Sequence, residues 1–405
     1  MEIFEKAYIG KCELKNRIFR SATFEGMSDK YGIPDENYLA LYEELSKNNI
    51  GGIITGFAFI SEEGKAIQPG QAGISSEKHI EQFKKVTSIV HTNGSKIFLQ
   101  IAHTGRQTRE LDIYQKVVGA SGKKSKYFRE KPKKLNTQEA FEIINKFGRS
   151  ALYAKKAGFD GVQIHAAHGY LIHQFILPTI NNRKDLFGID SEKGLGLKFL
   201  DLIIDNIREK CSNDFPILIK VSGSDDYKKK FSKKQFSNLI EFLNLKKVDG
   251  IEISYGTMDH ALNIFRGDIP VDLVLKHNKI YKVESKLAKK LLKTFIFPFA
   301  KKKIKPFSPM YNLEYAKIAK EITEIPIISV GGYREKKEIE YAIKNININF
   351  VSLSRPFICE PDFMIKIEEN DNYKSRCINC NYCAIMCDSK YLTKCYKKTY
   401  HGNKK

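Results

Sequence analysis

The feature that most constrains this chain is a strict alternation of short apolar runs with longer amphipathic stretches. Eight β-type runs occupy residues 17–21, 52–56, 96–102, 161–165, 216–222, 249–254, 326–330 and 349–353. Most lack period-two alternation, as strands covered on both faces do. Between them lie stretches with helical spacing of apolar residues at 37–47, 77–91, 137–156, 195–209, 234–245, 312–323 and 335–344. Strand and helix in turn, eight times over, predict an α/β fold of the TIM (β/α)8 barrel type.

The boundaries then follow. A barrel over residues 1–360 accounts for all eight runs, with a capping insertion at 255–311 and a Cys-rich C-terminal extension at 361–405. A second long connection, 104–136, follows the third run. Both connections leave strand C-terminal ends, so they are expected on the catalytic face. Apolar residues make up 42% of the chain, enough for a large core and too many for a disordered polymer.

No run reaches the ~18 uninterrupted apolar residues of a membrane span. The nearest, residues 291–300, contains Lys293 and Pro298. No membrane partner is therefore expected, and the absence of an apolar leader together with clustered cysteines reads as cytoplasmic. The net charge of +21 comes from Lys-rich runs at 123–134, 228–234 and 301–305. In a chain also rich in Ile and Asn these read as solvated faces and AT-rich codon usage; an anionic substrate or nucleic acid is the rival explanation, and nucleic acid the weaker one.

In a barrel, reactive groups sit where strands end. The fourth run ends in HAAHGYLIHQF, which places His165, His168 and Tyr170 together. Two imidazoles three residues apart can converge on one carbonyl oxygen while a phenol delivers a proton. The rival readings are a zinc site, for which no third ligand is evident, and a core histidine. The seventh run leads into Gly331 and Gly332, the eighth into Ser354 and Arg355, a pairing suited to phosphate at the usual seat of this fold. Lys220 lies inside an apolar run, so it either snorkels out or faces bound negative charge. Gln100 offers a donor and an acceptor to a pyrimidine-like ring edge.

These positions resemble the old yellow enzyme family of FMN-dependent NAD(P)H oxidoreductases. The motifs are LKNRIFRSATFEGM (14–27), LQIAHTGRQ (99–107), FDGVQIHAAHGYLIHQFILPTINNRKDLFG (159–188), ISVGG (328–332) and VSLSRPF (351–357). The resemblance implies that Ser21, Ala22 and Thr23 cradle the flavin, that Phe57 or Ala58 packs beside it, and that Gln100 and Lys220 meet its pyrimidine end. It implies that Gly331, Gly332, Ser354 and Arg355 hold the FMN phosphate. His165 and His168 would grip the oxygen of a small enone or enoate, Tyr170 would protonate it, and NAD(P)H would be the co-substrate. Phe24 stands where many members carry a hydroxyl or thiol, and the usual double glycine after Asn182, Arg183 and Asp185 is missing; those three residues read as structural.

Five cysteines crowd the tail: Cys377, Cys380, Cys383, Cys387 and Cys395. C-x2-C-x2-C-x3-C resembles a ferredoxin run, and C-x2-C-x2-C-x11-C resembles the [4Fe-4S] pattern of the 2,4-dienoyl-CoA reductase and trimethylamine dehydrogenase branch. Zinc is the alternative occupant. A cluster here would draw on an outside donor of ferredoxin type. The expected activity is hydride transfer to an activated C=C. The rivals are an enzyme like tRNA-dihydrouridine synthase and a zinc-clipped nucleic-acid-binding protein; a homo-oligomer is compatible with each.

Overall fold

The computed structural model describes residues 1–397 and 399; the end of the Cys-rich extension, 400–405, lies outside them. Eight parallel strands form the barrel: Ile18–Arg20, Gly52–Ile54, Lys96–Ala102, Gly161–Ala166, Ile217–Ser222, Gly250–Ser254, Ile327–Val330 and Phe350–Leu353. Each pairs in parallel with its neighbour, and the first strand also pairs with the eighth, which closes the sheet. Helices such as Glu36–Lys47, Thr137–Lys156 and Lys198–Cys211 cover the outside. Thr137–Lys156 begins with a capping box in which Asn136 and Glu139 satisfy each other's backbone N–H groups. No described helix is long and apolar enough to cross a membrane.

The barrel interior is layered because alternate residues of a strand point inward. At the bottom, Phe19, Ile54, Phe98, Leu218, Ile328 and Phe350 form an apolar plug with Ala7, Ile9 and Leu14 of an N-terminal hairpin. That hairpin was not anticipated. One step along each strand the layer turns polar: Ser21, Gln100, Gln163, Lys220, Glu252 and Ser352, all buried.

The two long connections pack on the catalytic end. Residues 104–136 carry the short helix Glu110–Ile113 and two paired two-residue strands. Residues 255–311 fold into helices Ala261–Phe265, Val271–His277 and a helical run through 286–301. A buried ion pair joins them, Arg106 Nη2 to Asp259 Oδ2 at 2.8 Å, with Tyr227 Oη donating to the same carboxylate at 2.6 Å.

Candidate active site

The polar layer is organised around Glu252, a residue the sequence did not single out. Its carboxylate accepts from Ser21 Oγ at 2.7 Å, Ser352 Oγ at 2.7 Å and Gln163 Nε2 at 2.9 Å, and pairs with Lys220 Nζ at 3.0 Å. Gln100 Nε2 donates to Gln163 at 2.6 Å, and Lys220 to Ser21 Oγ at 3.0 Å. Burial alone would raise the Glu252 pKa, but the Lys220 charge and the hydroxyl donors hold it below the ordinary value. Gln100, Lys220 and Ser21 therefore share one network at one depth. The signal available in the sequence was a polar residue within otherwise apolar runs, Lys220 and Glu252 among them; their register on adjacent strands emerges only in the fold.

Above this layer stand His165, His168 and Tyr170. His165 ends the fourth strand, and His168 adopts a left-handed φ of 59° in the turn that follows. Nδ1 of His168 lies 3.2 Å from Nε2 of His165, and its Nε2 lies 2.8 Å from Ser254 Oγ. The backbone N–H of Ala167 donates to His165 Nδ1 at 3.4 Å, so the network assigns the His165 proton to Nε2. The Tyr170 ring lies 4.6 Å from His165, and Phe57 packs on Tyr170 at 5.5 Å and on His165 at 6.4 Å. Burial, then the Lys220 charge, hold His165 well below the ordinary imidazole value; burial, His165 and Lys220 do the same for His168. Both rings are neutral donors at physiological pH. Burial and the charge of Asp388 raise the Tyr170 phenol, which keeps its proton.

Of the two residues expected beside the flavin, Phe57 faces this group. Ala58 lies in a short strand paired with Ile101 and belongs to the apolar core. Thr23 and Ala22 are half-buried at the end of the first strand, Thr23 Oγ1 bonding the Ser21 carbonyl at 2.9 Å. Phe24 lies tilted against Phe57 at 5.9 Å, extending the aromatic wall.

Gly331, Gly332, Ser354 and Arg355 line one cleft of about 350 Å³, together with Arg334, Asn379 and Tyr311. Gly332 has φ 90°, and a Cβ there would stand 2.6 Å from the Ser308 carbonyl. Gly331 has φ 123°, and its Cβ would meet the Tyr311 ring at 2.5 Å. No carboxylate lines the cleft, and Arg334 Nε is buried without a partner among the described residues. Close backbone approach, two guanidinium groups and an unpaired donor fit the phosphate of FMN. Arg334 was not foreseen.

Arg355 also reaches the cysteines. Its Nη1 donates to the Arg266 carbonyl at 2.8 Å and to Asn381 Oδ1 at 2.7 Å. Asn379 and Asn381 adopt left-handed φ of 57° and 56°, a conformation asparagine tolerates. They turn the tail so that Cys377, Cys380, Cys383 and Cys395 line one pocket of about 330 Å³ with Arg355. Cys387 does not join them: its thiol donates to the Cys383 carbonyl at 3.3 Å and meets Thr393 Oγ1 at 3.5 Å. Cys359, read from the sequence as a scattered residue, takes its place, 3.7 Å from the Cys395 sulfur. Among the described residues no three His, Cys, Asp or Glu side chains stand at metal-binding geometry. Asp388 turns toward the barrel mouth, where Gln68 and Asn278 bond it and burial pushes its carboxyl up to about 6.

The chain is similar to several known proteins. The NADH oxidase of Thermoanaerobacter brockii is 27% identical over 386 residues, 95% of this chain and 53% of that protein. The NADPH dehydrogenase of Bacillus subtilis (strain 168) is 34% identical over 269 residues, 66% of this chain and 77% of the relative. The cinnamate reductase of Clostridium sporogenes is 27% identical over 407 residues, covering 95% of this chain and 57% of the reductase. The chain thus spans a little over half the length of the first and third. In fold it superposes on the old yellow enzyme homologue of Zymomonas mobilis with a TM-score of 0.72 at 20% identity, over 94% of this chain and 96% of the other. A sequence profile matches residues 2–288, and the chain belongs to the NADH:flavin oxidoreductase / NADH oxidase family.

Proposed function

We propose that the protein is an FMN-dependent ene-reductase that uses NAD(P)H to saturate an electron-poor C=C in a small enone or enoate. The observation that carries this is the convergence of His165, His168 and Tyr170 above the Glu252-centred layer, at 3.2 Å between the imidazoles and 4.6 Å between the His165 and Tyr170 rings. Bound FMN supplies hydride chemistry, accepting from NAD(P)H and giving to the alkene. Arg334, Arg355 and the backbone at Gly331 and Gly332 would hold its phosphate, and Gln100 and Lys220 would bind its pyrimidine end, with Ser21, Ala22, Thr23 and Phe57 lining the ring.

His165 and His168, both neutral, donate to the substrate's carbonyl oxygen and make the β-carbon electrophilic. His168 turns its donor from Ser254 to do so. Tyr170 gives its proton to the α-carbon. The names of the cinnamate reductase and NADPH dehydrogenase relatives support the reaction type. The family assignment favours this reading over an enzyme like tRNA-dihydrouridine synthase or a zinc-clipped nucleic-acid-binding protein.

The tail, residues 361–405, forms an extension of a barrel spanning 1–360. Its thiols at 377, 380, 383 and 395 hold a [4Fe-4S] cluster on this reading, fed by a carrier of ferredoxin type in the cytoplasm. The common pocket of those four, and the opposite orientation of Cys387, support the C-x2-C-x2-C-x11-C pattern. Iron and sulfide analysis of anaerobically purified protein separates the cluster from zinc.

The test of the reaction is oxidation of NAD(P)H that depends on FMN and on a cinnamate-type acceptor. His168→Ala should leave FMN bound, weaken binding of phenol-type ligands roughly ten-fold and slow alkene reduction. Protein that neither holds nor takes up FMN ends the proposal.

A further inference from the structure

The helical run through residues 286–301 is the part of the molecule that the reaction leaves unexplained. Residues 285–307 contain eight lysines and no acidic residue, and the whole span 267–333 lacks arginine. Leu287, Leu291, Phe295, Ile296 and Phe299 are 50–69% exposed, whereas the half-buried Phe297 packs against the small core that includes Leu273, Val274 and Met386. The exposed residues 287, 291, 295 and 299 recur every four positions. In a regular helix of about 3.6 residues per turn such a series drifts round the axis. The π turn Leu292–Ile296, with wider i→i+5 closure, keeps it closer to one line. The result is a continuous apolar stripe, not the scattered single side chains of an ordinary surface.

Lys286, Lys289, Lys290, Lys301, Lys302 and Lys303 flank that stripe and make no ion pair among the described residues. We propose that this helix docks the protein on an anionic lipid surface, with the apolar stripe entering the headgroup boundary and the unpaired lysines meeting lipid phosphates. The run is too short to span a bilayer, and an interfacial helix needs no such length. Charge complementarity selects the occupant. Lysine is depleted from the cores of protein interfaces, where arginine's directed hydrogen bonds are favoured, but suits the diffuse field of an acidic bilayer. The apolar run 291–300 and the lysines at 301–305, read from the sequence as too short and as compositional, become the two halves of one surface.

The full chain is to be sedimented with vesicles of phosphatidylcholine, with and without phosphatidylglycerol, across a salt series. Because the chain has no tryptophan, Phe299→Trp places a single reporter on the stripe. Binding to the phosphatidylglycerol vesicles alone, weakened by salt, with a blue shift of that tryptophan, is the expected result. The combined Lys289→Glu, Lys290→Glu and Lys302→Glu variant should then bind at least ten-fold more weakly, and Phe295→Ser with Phe299→Ser similarly, with NAD(P)H oxidation unchanged in both. No binding at low salt, equal binding by both variants, or a blue shift that tracks self-association or an added acidic protein instead of lipid would overturn the proposal.

Discussion

Glu252 shows how a single side chain sets the chemistry of its neighbours. It is fully buried, and its partner Lys220 nearly so, and the two pair at 3.0 Å while the Ser21, Ser352 and Gln163 side chains bond the carboxylate. Removing one member of a buried pair leaves an uncompensated charge and costs ~3–5 kcal/mol. Glu252→Gln should therefore lower the urea midpoint sharply, and adding Lys220→Met should recover much of the loss. A midpoint unchanged by Glu252→Gln would show that the pair is not charged. Arg183, one of three residues the sequence reads as structural, bonds Asp185 Oδ1 at 2.8 Å and the Ala120 carbonyl of the connection 104–136 at 3.2 Å.

Among the elements, the barrel strands were the most legible, because burial on both faces writes each as an unbroken apolar run. Lys96–Ala102 was read to the residue and the other seven to within two. What escaped notice depends on contacts between distant segments. The N-terminal hairpin has three-residue strands, too short for any period to register, and Cys359 lies outside the spacing of the cysteine motif. The stretch 335–344 reads as one helix, but it changes from α to π at Tyr341. The phosphate loop is an element whose backbone forbids side chains. Gly332→Ala would set a Cβ against the Ser308 carbonyl and the Met310 amide while forcing a non-glycine residue to φ 90°. Strain of this kind costs about 1–3 kcal/mol, so FMN affinity should fall by about ten-fold or more. Titration of apoprotein with FMN measures it, and wild-type affinity would mean that the loop does not carry the phosphate.

At the scale of the whole molecule, four histidines are held in neutral form: His103, His165 and His173, which are buried, and the half-buried His168. Burial depresses each from the ordinary 6.5, His173 to about 3. The unfolded chain protonates all four near 6.5, while the native chain does not. Below that pH the unfolded state binds more protons, so stability falls as the medium is acidified, by up to roughly 1.4 kcal/mol per pH unit for each proton withheld. The contribution is fully present above 6.5 and is lost as pH drops toward the native values. Carboxylates held low by cations, such as Glu252 and Asp259, act in the same direction but only at and below the ordinary carboxylate range near 4. In the interval from 6.5 to 5 the four histidines therefore dominate, opposed by Asp388, whose carboxyl at about 6 takes up a proton in the native chain and offsets part of the loss. Net charge of +21 already opposes compaction, and each added proton deepens the repulsion. The urea midpoint should decline steadily from pH 6.5 to pH 5, with proton uptake on unfolding visible by calorimetry in buffers of different ionisation heat. A flat midpoint across that interval would mean that these imidazoles are already protonated in the native barrel, and with them the donors assigned to the substrate oxygen.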